Sequence, residues 1–310
     1  MESASMPPGE PQLICLGEAL VDLICPDPLS DPADARRFEV HFGGALANVA
    51  VAASRAGCRV GLAGGCGDDR WGVYLRRHLT EEGVDLSFGG IVEGVPTPFA
   101  FATLDADREP SFDVHGDGID AAIATLEGRE RELVDAAGGV AFGSNTLVDA
   151  ASRRVTERVR DGARAAGVPL LFDPNLRPGR WRDLERAREL CIASARVATV
   201  VKCNLDEARW LIGDGAAGVP RAAEELLSLG PELTVVTAGA DAIAARGACR
   251  VDLSPPPVDV VSPLGSGDVF MGTLAAGLLA GGWELSRAEG AIEWAAVAGA
   301  EACTRLGAFD

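Results

Sequence analysis

The sequence contains almost no lysine: Lys202 is the only one among 310 residues, and arginine supplies the remaining positive charge. Acidic residues outnumber basic ones, 46 to 28, which gives a formal net charge of −18. This charge argues against nucleic acids and anionic membranes as partners, because both are polyanions. An anionic nucleotide remains compatible, since helix N-termini and a bound cation supply local positive charge. We interpret the near-absence of lysine as coding bias.

Three further absences narrow the class of protein. The eight cysteines form no C-x-x-C pair, which argues against a disulfide scaffold or a zinc site and for reduced thiols. The N-terminus lacks the basic and then apolar pattern of a signal peptide. The uncharged stretch 269–283 is too short to span a bilayer. We therefore predict a soluble, cytoplasmic protein, with residues 1–11 as a disordered tail.

What the sequence does contain is an alternation of strand and helix patterns. Strand-like runs occur at 13–16, 60–63, 139–142, 169–172, 197–201 and 233–237. Helical patterns occur at 49–56, 71–82, 149–166, 184–193, 267–280 and 286–303, with a further helix starting near 204. This alternation predicts an α/β fold of three layers, αβα, with a mostly parallel central sheet. Polar residues just past the strand ends then collect along one sheet edge, where such sheets bind ligands.

A different pattern interrupts this order. Residues 97–104 alternate between apolar and small polar side chains, and a turn leads to a second run at 111–114, which predicts a β-hairpin. Together with strand-like pieces near Leu20 and Val40, this hairpin is expected to form a small sheet outside the main fold. His41 and His115 flank these pieces without partners at metal-ligand spacing, so neither is assigned to the site.

The stretch 258–276 is the strongest candidate for chemistry. A β-rich run at 258–261 precedes a turn and then G-S-G-D before a helical pattern. Gly265 and Gly267 let the backbone bend and a ligand approach closely. The N–H groups of the next helix favour an anion such as a phosphate, and Asp268 lies beside them with a carboxylate that can accept a proton. The alternative is a loop end followed by an acid that complements the helix dipole.

Three weaker signals lie elsewhere in the chain. Gly43 and Gly44 precede a helix with Asn48 in its first turn, which fits either a close-approach turn or a loop and cap. Asp173 and Arg177 follow a strand and can face a ligand or pair with each other. A third signal is the sequence N-L-D-E at 204–207, which matches a capping box as well as a ligand-binding motif.

Taken together, the motifs resemble those of the ribokinase-like carbohydrate kinases, the family also called PfkB, and most closely its fructokinase branch. The resemblance spans residues 12–310, with lid segments at about 18–42 and 91–116. The motifs stand in the family's order: G-E-A-L-V-D at 17–22, G-G-A-L-A-N at 43–48, D-P-N-L-R at 173–177, N-L-D-E at 204–207, T-A-G at 237–239, G-S-G-D at 265–268 and T-R-L-G-A at 304–308.

The resemblance implies a kinase that moves the γ-phosphoryl group of ATP to a hydroxyl of an unphosphorylated sugar, with fructose as the first expectation. Asp268 is then the general base, and the backbone of Gly265, Ser266 and Gly267 the anion hole. The implied substrate-binding residues are Asp22, Gly43, Gly44, Asn48, Phe101, Asp173 and Arg177. The implied nucleotide-binding residues are Asn204, Thr237, Gly239 and Gly267, and Glu207 with Asn204 would hold Mg²⁺. The lid segments imply a homodimer formed lid to lid.

Two departures from the family pattern qualify these expectations. Ser262-Pro263 replaces an Asp-Thr whose carboxylate binds a monovalent cation in many members, so we predict activity nearly independent of K⁺. Ala296 stands where an asparagine often lies near adenine. A phosphosugar substrate is not favoured, because it needs cationic side chains for its phosphate and Leu46 stands where a lysine often appears in basic relatives. A 2-keto-3-deoxy sugar acid or a nucleoside remains an alternative substrate, and a non-catalytic sugar- or nucleotide-binding protein is the alternative from another class.

Overall fold

The computed structural model describes residues 12–106, 108, 110–116 and 118–309, so the predicted tail at 1–11 lies outside the described residues. In this part of the chain, nine strands form one central sheet. With strands numbered in chain order, its spatial order is β13 (Val251–Leu253), β12 (Ala242–Gly247), β11 (Leu233–Ala238), β10 (Val200–Asn204), β9 (Leu170–Asp173), β8 (Ala137–Gly143), β1 (Gln12–Leu16), β4 (Val60–Gly67) and β5 (Gly89–Val92).

The seven strands from β11 to β5 pair in parallel, and only β12 and β13 run antiparallel at one edge. All five residues of β1 are buried, as expected for a central parallel strand that is covered on both faces. Because the strands are parallel, the carboxyl ends of β1, β8, β9, β10 and β11 open onto the same edge of the sheet. The predicted fold class is confirmed.

Helices cover both faces of this sheet. One face carries α1 (Ala45–Arg55), α2 (Arg70–Glu81), α9 (Ser266–Ala280) and α10 (Glu289–Ala302). The other carries α3 (Gly118–Ala124), α4 (Glu130–Ala136), α5 (Ala150–Ala166), α6 (Leu184–Ala195), α7 (Leu205–Ile212) and α8 (Val219–Leu227). Each face buries its own apolar layer, which gives the three-layer architecture. No helix in the described ranges combines the length and the apolar character needed to cross a membrane.

A second, smaller sheet has the order β3 (Glu39–Gly43), β2 (Leu20–Ile24), β6 (Phe99–Leu104) and β7 (Pro110–His115), and we call it the lid sheet. β6 and β7 form the predicted antiparallel hairpin, whereas β2 pairs in parallel with β6. Ile24, Ala102 and Leu104 of this sheet pack against Leu264, just before α9. The lid sheet therefore rests on the loop that carries the G-S-G-D motif.

The β-rich run 258–261 forms no strand, and the side chains of Val260 and Val261 are 43% and 41% exposed. Three consecutive prolines at 255–257 precede this run, and proline offers no N–H to a sheet. The N–H of Val261 donates instead to the carbonyl of Cys303 at 2.8 Å.

Several element boundaries also differ from the prediction. α1 begins at Ala45 rather than at residue 49, because Gly44 is its N-cap. α10 begins at Glu289, since Leu285–Arg287 forms a separate 3-10 turn. The alternation patterns did not predict β5, β12, β13, α3, α4 or α8, which are short or lie at the edges of the fold.

Candidate active site

The polar residues of the site follow the carboxyl ends of neighbouring strands. In spatial order, Glu18 lies after β1, Asn145 after β8, Asp173 and Asn175 at and after β9, Lys202 and Asn204 in β10, and Thr237 in β11. Adjacent strands lie about 4.8 Å apart, so these residues form a row along one edge of the sheet. The first turns of α1 and α9 lie above this row.

The crossing of α1 and α9 sets the centre of the site. Both helices are rich in small residues, and a Cβ placed on Gly272 would lie 2.6 Å from Cβ of Ala52. Glycine at position 272 therefore allows the two backbones to approach. This close crossing brings Asn48, near the start of α1, next to Asp268, near the start of α9.

Asp268 is buried and held by two amides. Nδ2 of Asn48 donates to one carboxylate oxygen, and Nδ2 of Asn175 to the other, each at 2.9 Å. Burial raises the pKa of Asp268 from 3.8 to about 6, although the hydrogen bond from Asn48 and the nearby Arg177 guanidinium lower it. A pKa in this range suits a group that accepts a proton near neutral pH.

Asn175 is a site residue that the motif analysis did not single out. Its backbone has a φ of +41°, a left-handed conformation that asparagine tolerates better than most residues. Its N–H donates to Oδ1 of Asp173 at 3.1 Å, which fixes the turn after β9 and directs the side chain toward Asp268. The signal in the sequence was an asparagine two residues after a strand-end aspartate.

The G-S-G-D turn has the expected left-handed glycine. Gly265 is the N-cap of α9 with a φ of +76°, and a Cβ there would collide with Ala308. The N–H of Ser266 donates to the carbonyl of Pro263 at 3.2 Å, and its hydroxyl donates to the same oxygen at 2.8 Å. The N–H group of Ser266 is thus engaged within the turn, whereas the first N–H groups of an α-helix in general have no intrahelical acceptor.

Ser262 lies just before this turn and is fully buried. Its hydroxyl oxygen accepts a hydrogen bond from the N–H of Leu264 at 3.2 Å. The carbonyl of Cys303 accepts the N–H groups of both Val261 and Ser262, at 2.8 and 3.1 Å. The Ser262 hydroxyl and the Cys303 carbonyl therefore already accept hydrogen bonds within the protein, and neither oxygen carries a negative charge.

Lys202 is a site residue that the sequence interpretation missed. The only lysine of the chain lies in β10 with 4% of its surface exposed, and its Nζ is 2.8 Å from Oδ2 of Asp173. Burial alone would lower its pKa, but Asp173, Glu207 and Asp268 raise it, so the ammonium group stays charged. A Cβ on Gly267 would lie 3.0 Å from Nζ, which places this charge beside the anion-binding turn.

Asn204 and Glu207 form a complete capping box at the start of α7. Oδ1 of Asn204 accepts the N–H of Glu207 at 2.8 Å, and Oε2 of Glu207 accepts the N–H of Asn204 at 3.1 Å. Oε1 of Glu207 also accepts the N–H of Leu176 at 2.7 Å, so it ties α7 to the turn after β9. Burial, with the Asp173 charge, raises the pKa of Glu207 to about 7, although Lys202 lowers it.

Thr237 and Gly239 extend the site along the sheet. Thr237 is the direct β-partner of Asn204, and its hydroxyl lies 3.5 Å from the carbonyl of Cys203. Gly239 has a φ of +50° in the turn that follows β11. Ala296 is buried in the apolar layer beneath α10.

A small cavity of about 40 Å³, partly open to solvent, lies between the lid sheet and the row. Its lining includes Asp22, Gly44, Asn48, Arg177 and Asp268. Burial raises the pKa of Asp22 to about 8, Arg177 lowers it, and the Asp268 and Glu18 charges raise it further. The Asp22 carboxylate occupies the space that a Cβ on Gly43 would need, which explains glycine at that position.

Arg177 is the cationic group of this cavity. Its guanidinium carbon lies 4.4 Å from the centroid of the Phe112 ring, which belongs to the lid sheet. This stacking orients the guanidinium without neutralising its charge. By contrast, the Asp173 carboxylate is occupied by Lys202 and Asn175, so the structure places Asp173 beneath the cavity rather than in its lining.

Phe101 is not brought to the cavity, which corrects its assignment to substrate binding. Its neighbour Ala100 lines the cavity, and side chains alternate between the two faces of a strand. Phe101 lies on the outer face instead, 5.2 Å from the ring of Phe38 and 5.5 Å from that of His115. His115 therefore also faces away from the cavity, and His41 packs beside Gly307 rather than in its lining.

The donor set near α7 fits Mg²⁺ in one particular way. No cluster of three or more His, Cys, Asp or Glu side chains that could hold a metal occurs among the described residues. Mg²⁺ is commonly bound by one or two carboxylates plus water and phosphate oxygens rather than by an all-protein cage. Glu207 with the exposed Asn204 side chain fits that pattern when a nucleotide supplies phosphates.

Comparison with known proteins gives one consistent assignment. A model of the family described as "pfkB family carbohydrate kinase" matches residues 10–310. The aminoimidazole riboside kinase of Salmonella typhimurium strain LT2 is 33% identical over 303 residues, 95% of this chain and 89% of that protein. The fructokinase of Salmonella typhimurium is 32% identical over 301 residues, 95% and 94% of the two chains.

A solved structure extends this likeness to the fold. The crystal structure of fructokinase from Xylella fastidiosa with bound ATP superposes with a TM-score of 0.81 and 28% identity. The match covers 96% of this chain and 94% of that one. The likeness therefore includes both the central sheet and the lid sheet.

Proposed function

Because this chain belongs to the pfkB family of carbohydrate kinases, we propose that it phosphorylates a hydroxyl of an unphosphorylated sugar, with fructose as the first candidate. Membership makes it a phosphotransferase that acts on an alcohol group and takes ATP as donor. Fructose is favoured because fructokinases recur among its relatives in both sequence and structure.

The observation that carries the proposal is the setting of Asp268. Its carboxylate is buried at the start of α9, is fixed through both oxygens, and has a pKa raised to about 6. At neutral pH it is ionised and can take the proton of a substrate hydroxyl as that oxygen attacks phosphorus. Asn175 is a positioning residue, since it acts on the substrate through Asp268. Asn48 also holds Asp268 and lines the cavity itself, so we keep it among the substrate-binding residues.

Two features supply positive charge where the phosphoryl group moves. The N–H groups of Gly267 and Asp268 point out of the first turn of α9, and the helix dipole adds to them. Lys202 places its ammonium group beside Gly267. Phosphoryl transfer depends mainly on positioning and on stabilising charge in the transition state, and these groups provide both.

Glu207 and Asn204 would hold Mg²⁺, directly or through water, on the nucleotide side. When bound, the ion neutralises charge on the phosphate oxygens. Thr237 and Gly239 continue this side of the site next to Asn204, and we assign them to nucleotide binding.

The cavity beneath the lid sheet suits a neutral, hydroxyl-rich substrate. Three carboxyl groups line it, those of Glu18, Asp22 and Asp268, against one guanidinium group, that of Arg177. Below pH 8 Asp22 is protonated in the ligand-free site, so it can donate as well as accept a hydrogen bond. Leu46 is buried and offers no charge for a substrate phosphate. These features support an unphosphorylated substrate.

Two other substrates deserve comparison with a sugar. A nucleoside is a candidate because an aminoimidazole riboside kinase is 33% identical across 95% of the chain. A 2-keto-3-deoxy sugar acid is a candidate because Arg177 is positioned in the cavity and could pair with its carboxylate. Both would use the same Asp268 and the same nucleotide side of the site.

An assay that couples ADP release to NADH oxidation, run over hexoses, pentoses, nucleosides and sugar acids, tests the proposal. We expect saturable, sugar-dependent ADP release that is lost in Asp268→Asn. Activity on a nucleoside or a sugar acid alone would replace the sugar assignment. Binding without turnover for every compound would favour a non-catalytic binding protein.

The lid sheet supports a further part of the proposal, a homodimer. Phe38, Phe101 and His115 form an aromatic cluster on its outer face. A second copy packed lid to lid would cover this cluster. Sedimentation velocity of the parent and of Phe101→Asp tests the assembly, which we expect the charge to disrupt. We also propose a cytoplasmic location, in keeping with ATP as donor and with all eight cysteines being free thiols.

A further inference from the structure

Two buried polar residues that the proposed reaction does not use are joined to each other in the cavity. Glu18 follows β1 and is 2% exposed, and Asn145 lies in the 3-10 turn after β8 and is 5% exposed. Nδ2 of Asn145 donates to Oε1 of Glu18 at 2.8 Å, and the N–H of Ala45 donates to the same oxygen at 3.3 Å. Both residues line the cavity.

Each member of this pair has one atom left over. Oε2 of Glu18 and Oδ1 of Asn145 are buried and have no hydrogen-bond partner among the described residues. The orientation of the Asn145 amide follows from its partner, because its NH₂ group must face the Glu18 carboxylate. Both remaining atoms are therefore acceptors. Buried acceptors are costly to leave unpaired, so these two point to donors on a ligand.

The position of the pair along the sheet tells which part of the substrate it meets. β8 and β1 are neighbours, whereas Asn175, which holds Asp268, follows β9, and Lys202 lies in β10 beyond it. The pair thus lies on the side of Asp268 away from Lys202. A substrate whose reacting hydroxyl contacts Asp268 extends its remaining hydroxyls toward Glu18 and Asn145.

We propose that Glu18 and Asn145 form a specificity subsite that binds two neighbouring hydroxyls of the sugar, remote from the hydroxyl that is phosphorylated. The inference rests on the proposed function and deepens it. One hydroxyl carries one proton, so two acceptors require two hydroxyls. A carboxylate or phosphate at this end brings only acceptors and meets the negative charge of Glu18, so the subsite rejects it.

Monodeoxy sugars combined with Asn145→Leu test the amide. In the parent enzyme, removing the hydroxyl that contacts Oδ1 should lower kcat/KM about 10- to 100-fold, because a buried acceptor is left unpaired. In Asn145→Leu, kcat/KM for that deoxy sugar and for the complete sugar should differ by less than about 3-fold, by the logic of a double-mutant cycle. Ser144→Ala is the matched control, since Ser144 is buried in the same turn but does not line the cavity.

Glu18→Gln tests the carboxylate by replacing one hydrogen-bond acceptor with a donor. The glutamine oxygen can keep the bonds from Ala45 and Asn145, which leaves its NH₂ group, a donor, where Oε2 was. Turnover of the hydroxylated sugar should fall about 10- to 100-fold in kcat/KM. For an analogue that carries fluorine in place of the contacted hydroxyl, Glu18→Gln should lower kcat/KM much less, because fluorine accepts a hydrogen bond but does not donate one.

Two results would overturn the proposal, and they differ from each other. For each deoxy sugar, kcat/KM relative to the complete sugar is compared between the parent enzyme and the two variants. If this ratio is the same in all three proteins for every deoxy sugar, the pair contacts no substrate hydroxyl. If the parent enzyme phosphorylates no sugar, and calorimetry with Asp268→Asn detects no sugar binding, the proposed function fails and the subsite with it. Thermal unfolding of each variant reports whether it is folded. If Asn145→Leu does not fold, the kinetics of Glu18→Gln alone decide whether the pair binds substrate hydroxyls.

Discussion

Asn175 and Asp268 are 93 residues apart in the chain, yet Nδ2 of Asn175 donates to Oδ1 of Asp268 at 2.9 Å. This bond joins the turn after β9 to the first turn of α9. Asn48 completes the arrangement from α1 at the other carboxylate oxygen. The carboxylate of the proposed base is thus held in one orientation by the turn after β9 and by α1, which are both far from α9 in the sequence.

Asp268→Asn should lower kcat by roughly 10²–10⁴ and leave sugar affinity nearly unchanged, because the main loss is that of proton transfer. The new amide places an NH₂ group against one of the two donors, Asn48 or Asn175, so one hydrogen bond is lost as well. Calorimetric titration with sugar separates this local effect from catalysis. A near-normal kcat would remove Asp268 from the mechanism.

Removal of the Lys202 charge should slow phosphoryl transfer. Lys202→Met leaves the buried Asp173 carboxylate unpaired, so the single variant should lose about 3–5 kcal/mol of stability. The double variant Lys202→Met with Asp173→Asn removes the pair as a unit, and thermal unfolding should show most of that stability restored. Its kcat should still be reduced by about 10- to 1000-fold, since the charge beside Gly267 is gone. Near-normal turnover by the double variant would make Lys202 purely structural.

Glu207→Gln should raise the Mg²⁺ concentration needed for half-maximal activity and slow turnover, because Mg²⁺ prefers a carboxylate. The capping box alone would tolerate glutamine, but Glu207 accepts N–H groups with both oxygens, from Asn204 and from Leu176. Glutamine can accept only one of them, so we also expect a loss of about 1–2 kcal/mol in stability. Unchanged Mg²⁺ dependence with lower stability would assign Glu207 a structural role only.

The ligand-free protein should lose stability as pH rises, and Asp22 is the largest single reason. Its pKa of about 8 in the folded state lies above the ordinary value of 3.8, so folding retains a proton that the unfolded chain releases. This contribution is fully present below pH 4 and disappears as pH rises through 8. The side chain in Asp22→Asn stays neutral at every pH. In chemical denaturation, its free energy of unfolding minus that of the parent should therefore rise by about 1–4 kcal/mol from pH 5 to pH 9. A difference that is the same at both pH values would contradict the shift.

Activity should be nearly independent of K⁺. The oxygen at position 262 is a hydroxyl already bonded to the N–H of Leu264, and Pro263 limits how the backbone can rearrange. The measurement is kcat in a buffer of large organic cations, titrated with KCl at constant ionic strength. A saturable, several-fold activation would show that carbonyl oxygens alone build the cation site. Ser262→Asp should introduce or strengthen K⁺ activation if the loop accepts it before Pro263.

The sequence predicts well what depends on neighbouring residues. The α5 helix begins after Asp149, whose side chain accepts the N–H of Ala151, and it ends at left-handed Gly167. Both ends follow from local capping rules, and the predicted bounds are nearly those observed. The N-L-D-E segment likewise forms the capping box that its pattern indicates.

Contacts between distant segments explain what the sequence could not show. Lys202 lies in an apolar strand without a motif of its own, and its role follows from the register of β10 beside β9 and from the docking of α9. The bond between Glu18 and Asn145 spans 127 residues. The resemblance implied Phe101 as a substrate-binding residue, but neither it nor the alternation along the strand tells which side of the hairpin faces the cavity.

The two hydrogen bonds that the Glu207 carboxylate accepts have a consequence for recombining this chain with that of a relative. One carboxylate belongs to α7, fastens β10, and secures the turn at Leu176, next to the asparagine that orients Asp268. The segment around β10 and α7, proposed to bind the nucleotide, and the turn after β9, which orients Asp268, therefore cannot be exchanged independently of each other. In a chimaera spliced between β9 and β10, Asp268 should be misaligned unless residues 173–177 and 202–207 come from the same parent.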